Sequence, residues 1–479
     1  MCDSPDSGFE QDATPLGDVC VLGAGDTGLS VAHYLASCGK DRVTSVTLYG
    51  GAKATASDRT QALEDMGVQV VLGTEQISGH YDKAIVSPGI PESSPFFLAA
   101  KEHADEVMGE PEFAYRESPR KWIGITGTNG KTTTTLLTCE LLATGGLKAQ
   151  AVGNIGVVAT GQVAGRAEDE WFVTELSSFQ LATATRLHPR VACLLNITPD
   201  HVEWHGSMEA YANAKERLFQ NLDAGDLAVV SCEDEWCRAI AQRLSDRGIR
   251  VCHVGVHVES QDPCAAFVRA GRLVVRLDGT EHDLVSVDSI AIRGEHNLQN
   301  ALAAAACALE VGVPTAAVIH GLMVFRPLEH RIELCGTVGG VRFVNDSKAT
   351  NVDATVKALT AFVPGKVIVL LGGHDKGTEL DQLAHAVSAR CKAAVCYGEA
   401  ADRIAAALEE ADGPMGLDVR HANHLRDALR TAADLAQKGD VVLLSPACSS
   451  FDEFRSYKER GAVFKRLVAA LSADGGCEE

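Results

Sequence analysis

A short stretch near position 125 constrains this chain more than any other part of its sequence. It reads IGITGTNGKTT (123–133) and joins an apolar strand pattern to a helical pattern. Glycines at such a junction let backbone N–H groups point at phosphate oxygens, and the helix N-terminus adds partial positive charge. Lys131 would neutralise phosphate charge, and the Thr132 hydroxyl would bind Mg²⁺. The stretch therefore predicts a nucleotide phosphate site, against the alternative of a plain strand–turn–helix with a surface lysine.

The composition limits the classes of function that remain. The chain has 479 residues, 46% hydrophobic and 22% charged, as in an ordinary globular protein. Sixty-four acidic and 43 basic residues give a formal net charge of −21, so we expect no binding to nucleic acid or to anionic membrane surfaces. No apolar run reaches the ~18 residues of a membrane helix, and the N-terminus lacks a signal-peptide pattern. Fifteen cysteines without a C-x-x-C pair favour reduced thiols in a cytoplasmic protein.

Apolar runs typical of strands alternate with helical patterns along the chain, which predicts an α/β fold with parallel sheets. Residues 105–120 contain two prolines and are predicted to form a linker. Residues 332–346 are predicted to form a hairpin about Gly339 and Gly340. The length fits about three domains. The predicted divisions are a flexible tail at 1–17 and domains at 18–110, 111–327 and 328–479.

A second glycine loop follows the first predicted strand. Residues 23–28 read GAGDTG and match G-x-G-x-x-G. A dinucleotide site also needs an acidic residue at the end of the second strand, for the ribose hydroxyls. This strand ends at Tyr49 and Gly50, so we expect no NAD here. Two interpretations stay open: a site for another pyrophosphate, such as that of a UDP-sugar, or a tight turn that packs a helix on a sheet.

Polar side chains follow two later strands of the predicted central domain. Glu175 and His201 stand at consecutive strand ends, where open α/β sheets bind ligands, and both could bind a metal ion. Each alone is more often an ordinary polar group, but their joint position after the phosphate loop favours a metal site. Lys215 lies on an amphipathic helix, where residue type alone favours a solvated lysine. Asn154 fits a loop cap and a substrate contact equally.

Several motifs together resemble the Mur ligase family. They are TGTNGKTTT (126–134), GNIG (153–156), ELSSFQL (175–181), NITPDH (196–201), the helix bearing Lys215, GEHNLQNALAA (294–304) and EHR (329–331). The resemblance implies an ATP-dependent amide-bond ligase of peptidoglycan precursor synthesis. It implies an N-terminal Rossmann-like parallel sheet, a central P-loop ATPase-like α/β domain and a C-terminal Rossmann-like domain. NDSKATN (345–351), LGGHDK (371–376) and LSPACSSFD (444–452) resemble the branch of the family that adds D-glutamate.

The resemblance also implies roles for individual residues. ATP is expected at Gly127, Thr128, Asn129, Gly130, Lys131, Thr132, Thr133, Asn297, Asn300, Arg331 and Asp346. Two Mg²⁺ sites are expected at Thr132, Glu175, His201 and Lys215, the last as a carbamate. The UDP-sugar is expected at Asp26, Thr27, Gly89, Asn154 and His201, and D-glutamate at Lys348, Thr350, Lys376, Ser450, Phe451 and Tyr457. The expected catalytic residues are Lys131, His201 and Lys215.

The reaction that the resemblance implies joins D-glutamate to UDP-N-acetylmuramoyl-L-alanine through an acyl phosphate, in a monomeric cytoplasmic enzyme. No uracil-binding residue is identified after position 50. Three alternatives remain: a ligase of this scaffold for another amino acid, a dinucleotide-dependent oxidoreductase that uses the first glycine loop, and a catalytically silent nucleotide-binding module. For Arg331, a salt bridge that links domains is an alternative to nucleotide binding.

Overall fold

A computed structural model describes residues 14–200, 202–292, 294–326, 329–411 and 416–474. Its strands form three sheets, of five, nine and six strands, and most neighbouring strands are parallel. This confirms the predicted α/β class. The chain divides into two compact units, one of residues up to 289 with 299–323, the other of 290–298 with 324 onward. The predicted domain boundaries stay a prediction.

The first sheet of the first unit has the strand order β3-β2-β1-β4-β5, and all of its pairs are parallel. Its elements are β1 (Gly17–Leu22), α1 (Asp26–Ser37), β2 (Val43–Tyr49), α2 (Asp58–Asp65), β3 (Gln69–Val71), β4 (Tyr81–Val86), α3 (Pro95–His103) and β5 (Ala104–Gly109). Strands β2 and β3 are added on one side of β1, and β4 and β5 are then added on the other side. The carboxyl ends of β1, β2 and β4 therefore open a crevice of the kind that binds ligands in such sheets.

The predicted linker at 105–120 is wrong, because this segment contains β5 and the helix α4 (Glu110–Glu117). Pro111 lies in the first turn of α4, where its missing N–H is not needed. Three glutamates of α4 are buried. Glu110 accepts hydrogen bonds from the backbone and hydroxyl of Thr160. These buried carboxylates fasten the first sheet to the next part of the unit.

Glu112 is the most heavily used of these carboxylates. It is fully buried and accepts hydrogen bonds from the backbone N–H groups of Thr185, Arg186 and Leu187. Arg116 also donates to it at 2.7 Å. One side chain therefore satisfies a whole turn of backbone about 75 residues away along the chain.

The change Glu112→Ala should lower the free energy of unfolding by about 3–5 kcal/mol, because it leaves buried N–H groups and a guanidinium unpaired. Urea denaturation followed by circular dichroism measures this. The control is Glu102→Ala, an exposed glutamate of α3, which should change the same quantity by less than about 0.5 kcal/mol. Equally small changes in the free energy of unfolding of the two variants would contradict the structural role of Glu112.

The second sheet of the first unit has the order β14-β13-β12-β11-β10-β9-β6-β8-β7. Its strands are β6 (Trp122–Thr126), β7 (Ala149–Gly153), β8 (Trp171–Glu175), β9 (Val191–Leu194), β10 (Leu227–Ser231), β11 (Arg250–Gly255), β12 (Ala265–Arg269), β13 (Arg272–Leu277) and β14 (Thr280–Ser286). The last three strands are antiparallel, which the sequence did not predict. Strand β6 lies between β8 and β9, so three predicted site segments meet at the carboxyl ends of adjacent strands.

Helices connect or follow the strands of this sheet. They are α5 (Lys131–Thr144), α6 (Thr160–Val163), α7 (Ser178–Ala182), α8 (Val202–His205), α9 (Met208–Glu216), α10 (Glu235–Asp246), α11 (Glu295–Glu310) and α12 (Thr315–Val324), with short 3₁₀ turns at Arg217–Phe219 and Val287–Ser289. The first residues of α11 belong to the second unit and the rest to the first. In the described ranges, no helix is long and apolar enough to span a membrane. The cysteines of those ranges are free thiols, as predicted.

The sheet of the second unit has the order β15-β16-β20-β17-β18-β19. Its elements are β15 (Glu333–Val338), β16 (Val341–Asn345), α13 (Val352–Leu359), β17 (Val367–Gly372), α14 (Asp381–Arg390), β18 (Cys391–Tyr397), α15 (Ala401–Glu410), β19 (Asp418–Ala422), α16 (Leu425–Leu435), β20 (Val441–Ala447) and α17 (Tyr457–Asp474). β15 and β16 pair antiparallel around Gly339 and Gly340, which confirms the predicted hairpin. The other pairs are parallel, so loops after β16, β17 and β20 meet at one edge.

Candidate active site

The glycine loop between β6 and α5 adopts the conformation that its sequence predicts. Gly127 has a φ of 152° and Gly130 a φ of 86°, which only glycine adopts without strain. Asn196, just after β9, holds the loop: its carbonyl accepts from the Thr128 N–H at 2.9 Å, and its side chain accepts from the Asn129 N–H at 2.8 Å. The sequence analysis placed Asn196 in a motif without giving it this role.

Two lysines converge on this loop. Lys131 donates to the carbonyl oxygens of Gly127 and Thr128, each at 2.8 Å. Lys215 donates to the same Gly127 oxygen, also at 2.8 Å, from α9. Like charges at this distance repel, so the arrangement favours either an anion beside the two amines or the loss of a proton from one of them. The structure thus brings Lys131 and Lys215 together at one carbonyl oxygen, and their roles in binding stay predictions.

Lys215 is not the solvated lysine that its helix suggested, since it is only 1% exposed. Its Nζ lies 4.5 Å from the centre of the Tyr211 ring, and the Tyr211 hydroxyl lies 3.0 Å from the Thr128 hydroxyl. Burial lowers the pKa of Lys215 well below its usual value, and the charge of Lys131 lowers it further. The neutral amine that a reaction with CO₂ requires is therefore favoured at this position.

Glu175 ends β8 beside the loop strand, in register with Ile125. It is 2% exposed. Its Oε1 accepts from the Asn154 side chain at 3.0 Å, and its backbone carbonyl accepts from the Asn154 N–H. Its Oε2 is buried and has no hydrogen-bond partner among the residues that the structure describes. A buried carboxylate oxygen that no donor satisfies is suited to a cation, so this position fits Mg²⁺.

The remaining predicted residues of this site have different outcomes. Thr132 and Thr133 are buried in the first turn of α5. Asn300 lies against the loop, since a Cβ on Gly130 would come within 2.3 Å of its Oδ1. His201 lies outside the described residues. The structure thus gathers Lys131, Thr132, Thr133, Glu175 and Asn300 at the carboxyl ends of neighbouring strands of one sheet.

Aromatic side chains that the sequence analysis did not single out lie beside α9. The ring centres of Phe179 and Trp204 are 4.6 Å apart, and His205 stacks nearly parallel to Phe179. The His205 ring lies 5.2 Å from that of Tyr211, and its Nε2 is 2.9 Å from the Ser178 hydroxyl. These contacts link the segment after Glu175 to the helix that carries Lys215. The motifs ELSSFQL and NITPDH indicated that this region belongs to the site, but they did not predict these ring contacts.

The variant Gly130→Ala should weaken nucleotide triphosphate binding at least tenfold, because its Cβ would displace Asn300 and the loop. Titration calorimetry measures that affinity. Gly146→Ala is the matched control: it has a similar φ of 80° and nothing within 4 Å of its Cβ. Both variants should lose about 1–2 kcal/mol of stability from backbone strain, but only Gly130→Ala should lose nucleotide. Equal nucleotide affinity in both would refute the role of this contact.

The glycine loop of the first sheet borders an open cavity of about 550 Å³. Its wall includes Gly25 and Ile90, the neighbours in sequence of the predicted residues Asp26 and Gly89. Asp26, in the first turn of α1, forms an exposed ion pair with Arg59 at 2.6 Å. The UDP-sugar roles predicted for Asp26, Thr27 and Gly89 stay predictions.

Tyr49, at the end of β2, is not part of the wall of that cavity. It is buried, and its hydroxyl lies 2.9 Å from that of Tyr81 and donates to the Ser78 carbonyl. Tyr49 stands where a dinucleotide site would need an acidic residue, and its hydroxyl is used inside the core.

Asp346 is the buried carboxylate of the second unit. Ser445 donates to it at 2.8 Å, and the Ile332 N–H donates at 3.3 Å. Burial raises its pKa to about 7, although the nearby charge of Arg331 opposes this. Asn297 lies in the first turn of α11 in the same unit, and its N–H donates to the Gly294 carbonyl. The nucleotide roles of Asn297, Arg331 and Asp346 stay predictions.

Stability should report the protonation of Asp346. The folded protein keeps this proton up to about pH 7, whereas the unfolded chain loses it near pH 4. The raised pKa therefore stabilises the fold at low pH, and this contribution is lost as the pH rises through about 7. Asp346→Asn should raise the melting temperature more at pH 8 than at pH 5, as measured by scanning fluorimetry. Asp427→Asn, on the exposed side of α16, is the control, and a shift of Asp346→Asn independent of pH would contradict the assignment.

The predicted D-glutamate residues lie on three loops at one edge of the second unit's sheet. Lys348 lies 5.5 Å from the centre of the Tyr457 ring, and Lys376 donates to the Thr350 carbonyl at 3.1 Å. Ser450 is buried, and Phe451 is 71% exposed. The structure thus brings Lys348 and Tyr457 together, and likewise Lys376 and Thr350. Their binding roles stay predictions.

Arg460 joins these loops and was missed by the sequence analysis. It is fully buried on α17. Its guanidinium donates to the Ser347 hydroxyl and carbonyl, and to the carbonyls of Cys448 and Ser449. It therefore fixes the segment before Lys348 against the segment before Ser450.

Two family models match separate parts of the chain. The Mur ligase middle domain matches residues 125–308, and the Mur ligase, glutamate ligase domain matches residues 330–448. Together these matches cover more than half of the chain. The chain belongs to the Mur ligase family. Mur ligases are ATP-dependent, and they generally use Mg²⁺.

Curated relatives match this Mur ligase over almost its whole length. A protein of Koribacter versatilis is 38% identical over 465 residues, which is 95% of this chain and 97% of that protein. A protein of Acidobacterium capsulatum is 38% identical over 461 residues, 94% and 96% of the two chains. Both are named UDP-N-acetylmuramoylalanine–D-glutamate ligase.

Solved structures share the fold of this Mur ligase at low sequence identity. A pseudomurein peptide ligase type C from Methanothermus fervidus has a TM-score of 0.60 and 16% identity, with 95% of this chain and 99% of that chain covered. The UDP-N-acetylmuramate–alanine ligase MurC of Thermotoga maritima has a TM-score of 0.57 and 19% identity, with the same coverage. These likenesses carry the three-domain fold of Mur ligases.

Proposed function

We propose that the chain joins D-glutamate to UDP-N-acetylmuramoyl-L-alanine with hydrolysis of ATP to ADP and phosphate. The observation that carries this is the match, at 38% identity and nearly full length, to relatives named for that reaction. The enzyme acts as a monomer in the cytoplasm, where its nucleotide substrates are made. Its product is a precursor of peptidoglycan.

The chemical problem is that a carboxylate is a poor electrophile. The γ-phosphoryl group of ATP passes to the carboxylate of UDP-N-acetylmuramoyl-L-alanine, and ADP leaves. The amine of D-glutamate then attacks the acyl phosphate, loses a proton and expels phosphate as the amide forms. Because anions crowd together in the first step, most of the catalysis is charge neutralisation and positioning. A buried site with two lysines on one loop supports this step.

Individual side chains have separate tasks in this proposal. Lys131 moves from the loop carbonyls to the phosphates, and the loop N–H groups hold the phosphate oxygens. Thr132 and Glu175 would hold one Mg²⁺, and His201 with the carbamate of Lys215 would hold a second. Bound Mg²⁺ neutralises phosphate charge. Asn154 keeps Glu175 in place through two hydrogen bonds.

The amino acid enters on the second unit. D-Glutamate carries two carboxylates, so its site needs cations that are held in position. Lys348 and Lys376 supply them. Lys348 is oriented by the Tyr457 ring and Lys376 by the Thr350 carbonyl. Arg460 keeps the two loops in register and is a positioning residue.

The test is ADP release by the full chain with ATP, Mg²⁺ and UDP-N-acetylmuramoyl-L-alanine, compared across candidate amino acids. D-Glutamate should stimulate release by more than a hundredfold, whereas L-glutamate, L-lysine and diaminopimelate should give the background rate. Stimulation by one of those instead would assign another ligase of the family. No stimulation by any, with ATP still bound, would indicate the silent nucleotide-binding module.

The variant that tests the metal site in this assay is Glu175→Gln. It keeps the shape of the side chain and the Asn154 contact but lacks the carboxylate charge. It should fold like the wild type and lose at least a hundredfold in D-glutamate-dependent ADP release. Full activity of this variant would remove Glu175 from the metal site while leaving the overall reaction intact.

A further inference from the structure

The loop after β17, which carries Lys376, is rich in glycine. Gly372, Gly373 and Gly377 all have positive φ angles. Glycine permits such angles but does not enforce them, because it adopts negative φ equally well. At its start the loop is packed, since a Cβ on Gly373 would collide with the Ser449 carbonyl oxygen, whereas a Cβ on Gly377 would meet nothing within 4 Å. The part of the loop around Lys376 therefore needs side-chain contacts to hold one conformation.

Arg403, on α15, supplies such contacts. Its guanidinium donates to both carboxylate oxygens of Asp375, at 2.7 and 2.6 Å, and to the Thr378 carbonyl at 2.8 Å. The Asp375 carboxylate also accepts from the Gly377 N–H at 2.9 Å. These hydrogen bonds hold the chain on both sides of Lys376. A simple surface ion pair stabilises little, but a bidentate pair with a further bond to backbone has a defined geometry.

The turn before α15 ties the same loop to the loop that carries Ser450. The His374 Nδ1 lies 2.6 Å from the Glu399 carboxylate, and the His374 N–H donates to the Ser449 carbonyl at 3.0 Å. The Asp452 carboxylate accepts from the Glu399 N–H at 3.3 Å. The turn before α15 and the helix itself therefore contact two of the loops that carry predicted D-glutamate residues.

The helix α15 is a firm support for Arg403. Its buried face packs in the same apolar cluster as β17, and that face consists of Ala401, Ile404, Ala405 and Leu408. Because the helix is anchored by this face, the position of Arg403 is set by the core rather than by the loop that it contacts. Sequence reasoning missed Arg403, since its partners are identified only by the folded loop.

We propose that Arg403 is a positioning residue for amino-acid binding: through Asp375 and Thr378 it holds the loop after β17 so that the Lys376 ammonium is presented to the substrate carboxylate. The Lys376 ammonium donates to the Thr350 carbonyl at 3.1 Å, and this contact requires the loop to stay in place. A cation that is already held loses less conformational freedom when an anion binds. The inference rests on the proposed function for the identity of the amino acid.

The first experiment compares Arg403→Met with the wild type in the ADP-release assay of the full chain. The KM for D-glutamate should rise about tenfold, because the loop is no longer held before the amino acid binds. The KM values for ATP and for UDP-N-acetylmuramoyl-L-alanine should stay within about twofold, and kcat should fall less than about threefold. Equal rises in all three KM values would overturn the inference, since they would indicate a general structural defect.

The matched control is Arg420→Met. Arg420 also pairs with a carboxylate through two nitrogens, at 2.8 and 3.1 Å, but its partner Asp418 lies on the same strand, β19. This variant should keep all three KM values within about twofold. Scanning fluorimetry should give both variants melting temperatures close to that of the wild type. An Arg403→Met protein with the same KM for D-glutamate as Arg420→Met would overturn the inference.

Two further variants test the pair itself. Arg403→Lys keeps the charge but not the planar fork, so its KM for D-glutamate should lie between those of the wild type and Arg403→Met. Asp375→Asn should raise this KM as Arg403→Met does. Because the two residues act through one contact, the double variant should be no more than about twofold worse than the worse single variant. Fully multiplying effects of the two changes would overturn the inference.

The outcomes separate this inference from the proposed function. If the wild type responds to D-glutamate and Arg403→Met keeps the wild-type KM, the inference fails and the proposed function stands. If the wild type responds to another amino acid instead, the proposed function fails, and the same comparison of KM values for that amino acid decides the role of Arg403. A wild type that responds to no amino acid would overturn both.

Discussion

Two lysine side chains share the carbonyl oxygen of Gly127, and the central site depends on that arrangement. It requires a backbone conformation at Gly130 that only glycine adopts without strain. The side chain of Asn196, just after the neighbouring strand β9, holds this loop in place. Because Lys215 is buried, its charge cannot be offset by water and must be offset by ligands or lost by deprotonation. The buried Oε2 of Glu175 is a negative group that lacks a hydrogen-bond donor or a cation among the described residues. Anionic substrates and cations together solve both, which is why such a loop suits phosphoryl transfer.

Much of the fold could be predicted because local signals agree with the tertiary structure. The strand–loop–helix at Lys131 and the hairpin at Gly339 and Gly340 are determined by residues close in sequence. The segment 105–120 was misread for the opposite reason. Its two prolines are typical of a linker, and only the backbone of residues 185–187, far along the chain, gives Glu112 the partners that bury it. The antiparallel strands β12 to β14 were missed because the alternation pattern does not indicate direction.

The sites show the same limit. Residue type alone made Lys215 a surface lysine, and only the family motifs pointed to the buried position that the structure describes. No motif pointed to Arg460, which lies in the KERG segment of a charged helix and resembles a solvated residue. Its partners are carbonyl oxygens of two loops, and carbonyls leave no trace in a sequence. Side chains that organise backbone are therefore the class that sequence patterns miss most readily.

Burial gives the two glycine loops of the first unit different physical characters. Around Gly127 the charges are desolvated and lie within reach of one another, so a change at Lys131, Glu175 or Lys215 alters the environment of the others. Effects of substitutions there should not add. The cavity beside Gly25 is open, and the charged side chains in its wall are exposed, so water screens them from one another. Coupling between charged side chains is therefore concentrated at the buried phosphate loop.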